Sequence, residues 1–112
     1  MPLLTIKTNT EINDTPGLAL VASKTVAEIL AKPESYVMIN IIPEQTLIFA
    51  GTNEPAALLE LKSLGLPESS TAEFSNTLAE LINQQLGINK SRIYIEFSNP
   101  ERHMWGWNGA TF

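Results

Sequence analysis

The sequence predicts an α/β fold made of two tandem βαβ units that share one mixed sheet, with both helices on one face. Three observations carry this reading. Two segments repeat apolar residues at the helical period, each is followed by a segment that alternates like a strand, and a constant offset superposes one half on the other. Right-handed crossovers then put both helices on the same side of the sheet. At 112 residues the chain supports one domain, 1–112, with pseudo-repeats 1–55 and 56–112.

Leu4 and Ile6 alternate with Thr5 and Lys7, which predicts a strand starting almost at the first residue. Asp14 then offers a cap and Pro16 a preformed first turn, where its missing N–H costs nothing. Leu18, Val21, Ala22, Thr25 and Ile29 follow as one stripe, so the spacing predicts a helix over 16–31. Lys32-Pro33 stops it, because proline excludes the residue before it from the α region.

Ser35 to Ile42 is β-branched and aromatic, with Val37, Ile39 and Ile41 on one face and Tyr36, Met38 and Asn40 on the other. Pro43-Glu44 breaks that strand, and Thr46 to Ala50 reads as a further one ended by Gly51. Ser70-Thr71-Ala72-Glu73 fits a capping box, and Phe74, Leu78, Leu81, Ile82 and Leu86 carry a helix over 71–86 to a closing Gly87. Arg92 to Ser98 alternates, with Ile93, Ile95 and Phe97 opposite Tyr94 and Glu96.

Segment 56–64 favours helix by local propensity. The repeat argues otherwise. Pro16 and Thr71, the first residues of the two predicted helices, are 55 positions apart, and the same step maps Leu3–Thr8 onto Leu58–Ser63. The ambiguous segment is therefore predicted as a strand. No third helix remains for the second sheet face, and self-association is the simplest cover for it.

Composition removes whole classes of function. Without cysteine there is no disulfide scaffold, thiolate zinc site or Cys nucleophile. A net charge of −5 disfavours a basic face for nucleic acid. No apolar run approaches the roughly 20 residues of a membrane span, and MPLLTIKTNT lacks a signal-peptide pattern, which predicts a cytoplasmic chain. His103, the only histidine, has no triad or metal partner nearby in sequence, and the glycines form no phosphate-binding motif. No metal and no organic cofactor is expected.

Pro2 follows the initiator methionine, and a small second residue permits Met1 removal, which would leave a secondary amine held beside the first strand. Lys32 complements the dipole at a helix C-terminus. The tail gathers Trp105, Trp107 and Phe112, either as a core plug or subunit contact or as an aromatic wall for a flat ligand.

Several blocks together resemble the macrophage migration inhibitory factor family of the tautomerase superfamily. They are Met1-Pro2, Lys32-Pro33, Pro43, Glu54-Pro55, Lys62-Ser63-Leu64-Gly65, Leu86-Gly87-Ile88, Arg92-Ile93-Tyr94-Ile95 and Gly106 to Phe112, in order and at nearly constant spacing from Met1 to Phe112. The resemblance implies a ferredoxin-like βαβ pair assembled as a homotrimer. It also implies a keto–enol tautomerase acting on a small aromatic 2-keto acid, of the phenylpyruvate tautomerase and dopachrome isomerase type. By the same resemblance Pro2 is the catalytic base, Lys32 holds the substrate carboxylate and the Leu64 N–H donates a further bond. Tyr94 comes from a neighbouring subunit with Glu96 beside it, and Trp107 and Phe112 wall the pocket. The rival class is a cytokine-like interaction protein, secreted without a signal peptide, whose partner is a protein receptor and whose pocket is vestigial.

Two departures from the family pattern stand out. The CxxC of the vertebrate cytokine falls on Ala56 and Leu59, which excludes thiol redox chemistry. Glu96 stands where that protein has an uncharged amide, so a carboxylate enters the question of substrate preference.

Overall fold

A computed structural model describes residues 1–112. Two βαβ units follow one another: β1 (Leu3–Thr8), α1 (Thr15–Leu30) and β2 (Met38–Ile42), then β3 (Ala57–Lys62), α2 (Thr71–Leu86) and β4 (Ile93–Ser98). A short hairpin, β5 (Gly106–Trp107) with β6 (Ala110–Thr111), forms the tail. The four long strands lie in the order β2-β1-β3-β4. Within each unit the strands are parallel, and β1 and β3 meet antiparallel at the centre. The predicted mixed sheet with two helices is what forms.

Asp14 caps α1 by accepting from the Gly17 N–H at 3.0 Å, with Pro16 inside the first turn. The helix buries Leu18, Ala22, Val26 and Leu30, a row spaced by four, while Val21 from the predicted stripe faces out. On α2, Phe74, Leu78, Leu81 and Ile82 turn inward. They meet Leu4, Ile6, Leu59 and Leu61 from the inner sheet face in one cluster. Each such side chain contributes about 1.5–3 kcal/mol on full burial, so this cluster dominates the stability of the chain.

β3 forms where local propensity favoured helix. Leu59 and Leu61 are fully buried between the helices and two flanking strands, and that tertiary burial outweighs a propensity difference of well under about 1 kcal/mol per residue.

Three local expectations are corrected. Thr46–Ala50 is not a strand, since only the Phe49–Thr52 bridge forms there. Glu44 and Gly51 both hold positive φ, at 56° and 77°, and fold the segment into turns. The strand after α1 starts at Met38, because Glu34–Tyr36 make a 3-10 turn closed by the Val37 N–H on the Glu34 carbonyl. The Ser70 side chain makes no capping bond. A 3-10 turn, Glu68–Ser70, runs straight into α2 and directs the Ser70 N–H to the Pro67 carbonyl instead.

The sheet face away from the helices carries Leu3, Thr5 and Lys7 of β1, Met38, Asn40 and Ile42 of β2, Leu58, Glu60 and Lys62 of β3, and Tyr94, Glu96 and Ser98 of β4. No helix of the chain covers it, and Met38 and Tyr94 remain 64% and 66% exposed. No helix is long and apolar enough to cross a membrane.

Candidate active site

Pro2 lies where the chain enters the sheet. Its carbonyl accepts from the Met38 N–H at 2.9 Å, one rung before the first β1–β2 pair, and the residue is fully buried. Met1 sits ahead of it, half-buried, over a cavity of about 360 Å³. Lys32, Pro33 and Tyr36 line one part of that cavity, Leu64 and Gly65 another, and Arg102 and Phe112 the rest.

Lys32 arrives there because α1 ends abruptly. Ala31 takes the left-handed conformation at φ 51°, and the N–H groups of Ala31 and Lys32 turn back to the Glu28 and Ala27 carbonyls at 3.2 and 3.0 Å. Those backbone bonds close the helix. The Lys32 side chain, expected to complement the helix end, instead reaches across to donate from Nζ to the Leu64 carbonyl at 3.3 Å.

Leu64 is held in a turn that closes β3. The Ser63 N–H donates to the Ser98 carbonyl at 3.1 Å, the Gly65 N–H to Asn99 Oδ1 at 3.0 Å, and the Leu66 N–H to the Ser63 carbonyl at 3.3 Å. The Leu64 N–H lies between these fixed neighbours and has no acceptor within the chain. A fixed donor without a partner, at a cavity wall, is free to bond a ligand oxygen.

Electrostatically the cavity is positive within an acidic chain. Lys32 and Arg102 are the charged side chains that line it, and no carboxylate side chain does. Burial, and after it the Lys32 and Arg102 cations, push the terminal amine of Met1 below its ordinary 8.0. A primary amine at this position is thus biased toward its neutral, proton-accepting form.

The aromatic wall is assembled by the tail. Trp107 and Phe112 stack with ring centroids 6.0 Å apart, and Tyr36 meets Trp107 edge-on at 5.9 Å. The Phe112 N–H donates to the Trp105 carbonyl at 3.2 Å, which folds the chain end back beside the cavity. Trp107 supports this wall from behind, next to a smaller hollow of its own with Phe112.

Tyr94 and Glu96 are not brought to this cavity within one chain. They lie on the open sheet face of β4, and Tyr94 pairs with Leu58, at the end of β3 far from Leu64. The Tyr94 ring packs on Phe49 at 4.7 Å. Tyr36 and Arg102 escaped the sequence reading. The sequence pattern puts Tyr36 on a strand, and Arg102 reaches the cavity only because the tail folds back. A larger hollow of about 450 Å³ between the β1–α1 loop and the end of α2 has Glu11 and Asp14 as its charged side chains, with no cation or amine.

The whole chain, residues 1–112, matches the family profile described as Macrophage migration inhibitory factor (MIF). The chain belongs to the MIF family. It is 41% identical to a macrophage migration inhibitory factor homolog of Trichinella spiralis, with 100% of both chains covered. It is 32% identical to macrophage migration inhibitory factor of Mus musculus over 100% of this chain and 99% of that one. The crystal structure of the homologue from Prochlorococcus marinus superposes with a TM-score of 0.94 at 39% identity, covering 98% of each chain. The MIF family is part of the tautomerase superfamily and is known for tautomerase and cytokine-like roles, and membership supports an isomerase activity in general.

Proposed function

We propose that this chain is a keto–enol tautomerase of small aromatic 2-keto acids, with the amine of Pro2 as general base once Met1 has been removed. The observation that carries this reading is the junction of an amine-bearing strand start with Lys32 and the free Leu64 N–H around one cavity. A base that takes a proton from carbon beside a ketone must be neutral near pH 7 yet still basic. Burial, and after it the Lys32 and Arg102 cations, depress the Met1 amine, and the same physical causes would disfavour the protonated form of a Pro2 amine one residue further on.

In the proposed reaction the Pro2 nitrogen accepts the α-proton while the ketone oxygen takes up the electron pair as an enolate. Lys32 holds the carboxylate, and the Leu64 N–H donates to the oxygen on which negative charge develops. The protonated proline returns the proton at the alternate site, so the cycle closes without a cofactor. Tyr36, Phe112 and, behind them, Trp107 present an apolar wall to the aromatic ring.

The assembly we propose is a homotrimer, which covers the open sheet face and brings Tyr94 and Glu96 of the partner subunit toward the cavity. Their exposure on β4 of the free chain supports that arrangement. Export and receptor binding, by analogy with the cytokine-like role of the family, form the second reading. The full-length likeness to the mouse factor favours it.

The test is phenylpyruvate ketonisation by a preparation whose lack of Met1 has been verified by mass spectrometry, and by Pro2→Gly. We expect kcat/KM to fall by about 10²-fold or more in the variant, the usual weight of a positioned base. The protonated amine is inactive, so wild-type kcat/KM should rise with pH and level off at a lower pH than a freely exposed prolyl amine would give, since burial and the neighbouring cations disfavour the charged form. Equal rates for the two proteins would remove the proline from the mechanism.

A further inference from the structure

The seven Lys and Arg side chains of the chain are engaged unequally. Lys7 pairs with Glu60, Lys90 pairs with Glu80, and Arg92 spends its guanidinium on the carbonyls of Phe49, Thr52, Glu54 and Pro55. Lys24, Lys32, Lys62 and Arg102 have no carboxylate partner, although acidic residues outnumber basic ones by 12 to 7. Even Glu101, the neighbour of Arg102 in sequence, turns to His103 at 3.5 Å. Of these four, Lys32 and Arg102 line the same cavity.

One carboxylate does not require both. Lys32 supplies a point charge beside the Leu64–Gly65 turn. Arg102 comes from a separate element, the 3-10 turn Arg102–Met104, closed by the Met104 N–H on the Glu101 carbonyl at 2.9 Å. Its planar fork suits a second, bidentate anion. A dianion entering a chain of net charge −5 needs a local cation for each of its charges.

We infer that the cavity is built for 2-oxo acids bearing a second acidic group, with Lys32 holding one end of the molecule and Arg102 the other. This rests on reading the cavity as the tautomerase site, and it adds the substrate class. Tyr36 also lines the cavity, and no carboxylate side chain of the same chain lines it to oppose the second charge. Glu96 of the partner subunit is the competing anion, and pairing of Arg102 with it is the alternative the test must separate.

The experiment uses a matched pair, phenylpyruvate and 4-carboxyphenylpyruvate, which differ by one carboxylate. Wild type should prefer the diacid by about 10-fold in kcat/KM, the scale of one charge-assisted contact. Arg102→Met, which keeps the aliphatic stem, should lose about 10-fold or more on the diacid and about 3-fold or less on phenylpyruvate. Lys32→Met should weaken both, and Arg102→Lys should restore part of the preference. Calorimetry with 3-phenylpropionate and 3-(4-carboxyphenyl)propionate reads the same selectivity without turnover, so it separates failure of this inference from failure of the tautomerase reading. Tighter diacid binding that Arg102→Met abolishes supports the inference even in an inactive protein. Equal losses on both acids, or a weaker oligomer in Arg102→Met with unchanged selectivity, overturn it in favour of the pair with Glu96.

Discussion

In the first half of the chain α1 ends at Ala31, with φ 51°, and Lys32 then reaches the cavity; in the second half α2 ends at Gly87, with φ 69°, and Ile88 then enters the core. The two helix exits lie 56 residues apart and are followed by 3-10 turns at that same spacing, Glu34–Tyr36 and Lys90–Arg92. Even the residues ahead of those turns agree, with φ and ψ of −60° and 136° at Pro33 and −62° and 136° at Asn89. The side chains diverge at every step. Tyr36 lines the cavity, whereas its counterpart Arg92 lies over the Phe49 ring at 5.2 Å and ties the 49–55 loop to β4. One backbone plan was used twice, once to line the cavity and once to hold the molecule together.

The sharpest way to break this comparison is to truncate the equivalent residues Lys32 and Ile88. Ile88 is fully buried in the core cluster. Ile88→Ala should therefore lower unfolding stability by about 2–5 kcal/mol in urea titrations, through lost burial and a residual cavity. Lys32→Ala should cost less than about 1 kcal/mol, since its exchanged contact is one bond at a half-buried position. Its penalty should fall on KM for phenylpyruvate more than on kcat if the lysine holds the carboxylate equally throughout the reaction. A stability loss at Lys32 matching that at Ile88 would erase the division between site and scaffold.

Arg92 gives the next effect in size. Arg92→Met keeps the stem against Phe49 but removes the donors to four carbonyls. Several of those bonds are solvent-exposed, so the expected cost is about 1–2 kcal/mol, read by thermal unfolding. Hydrogen exchange should quicken selectively around Phe49 to Pro55. Uniform quickening across the sheet would instead make Arg92 part of the common core.

Much of the division was already legible in the chain, and its gaps have physical causes. The offset identified β3 against local propensity because a repeat reports on tertiary environment, which single-segment preferences do not contain. It does not reach Thr46–Ala50, where a short apolar run suggests a strand but turns at Glu44 and Gly51 break the extension. Pro2 and Lys32 stood out by position, at a strand start and before a helix-ending proline. Tyr36 and Arg102 did not, because their placement depends on a 3-10 turn that shifts the strand start and on a tail folding back through Phe112. The roles proposed for Leu64 and Tyr94 come only from family resemblance, since an unpaired backbone N–H and a residue proposed to act in another subunit leave no mark in composition or period.

The smallest effect tests the two helix exits directly. A left-handed residue with a Cβ is strained by roughly 1–2 kcal/mol, while glycine carries no such strain. A Cβ on Gly87 would meet nothing within 4 Å, so Gly87→Ala isolates the conformational term and should cost about 1 kcal/mol. Ala31→Gly should run the other way and stabilise by about 0.5 kcal/mol, the relieved strain being partly offset by the greater freedom of glycine in the unfolded chain. Ala31 immediately precedes Lys32, so the same change loosens the backbone that aims the ammonium at the cavity. A protein more stable than wild type yet with a higher KM for phenylpyruvate would show that the strain at Ala31 positions Lys32. A rise in stability with KM unchanged would leave Ala31 as an unrelieved cost that the first half carries and the second half, with its glycine, avoids.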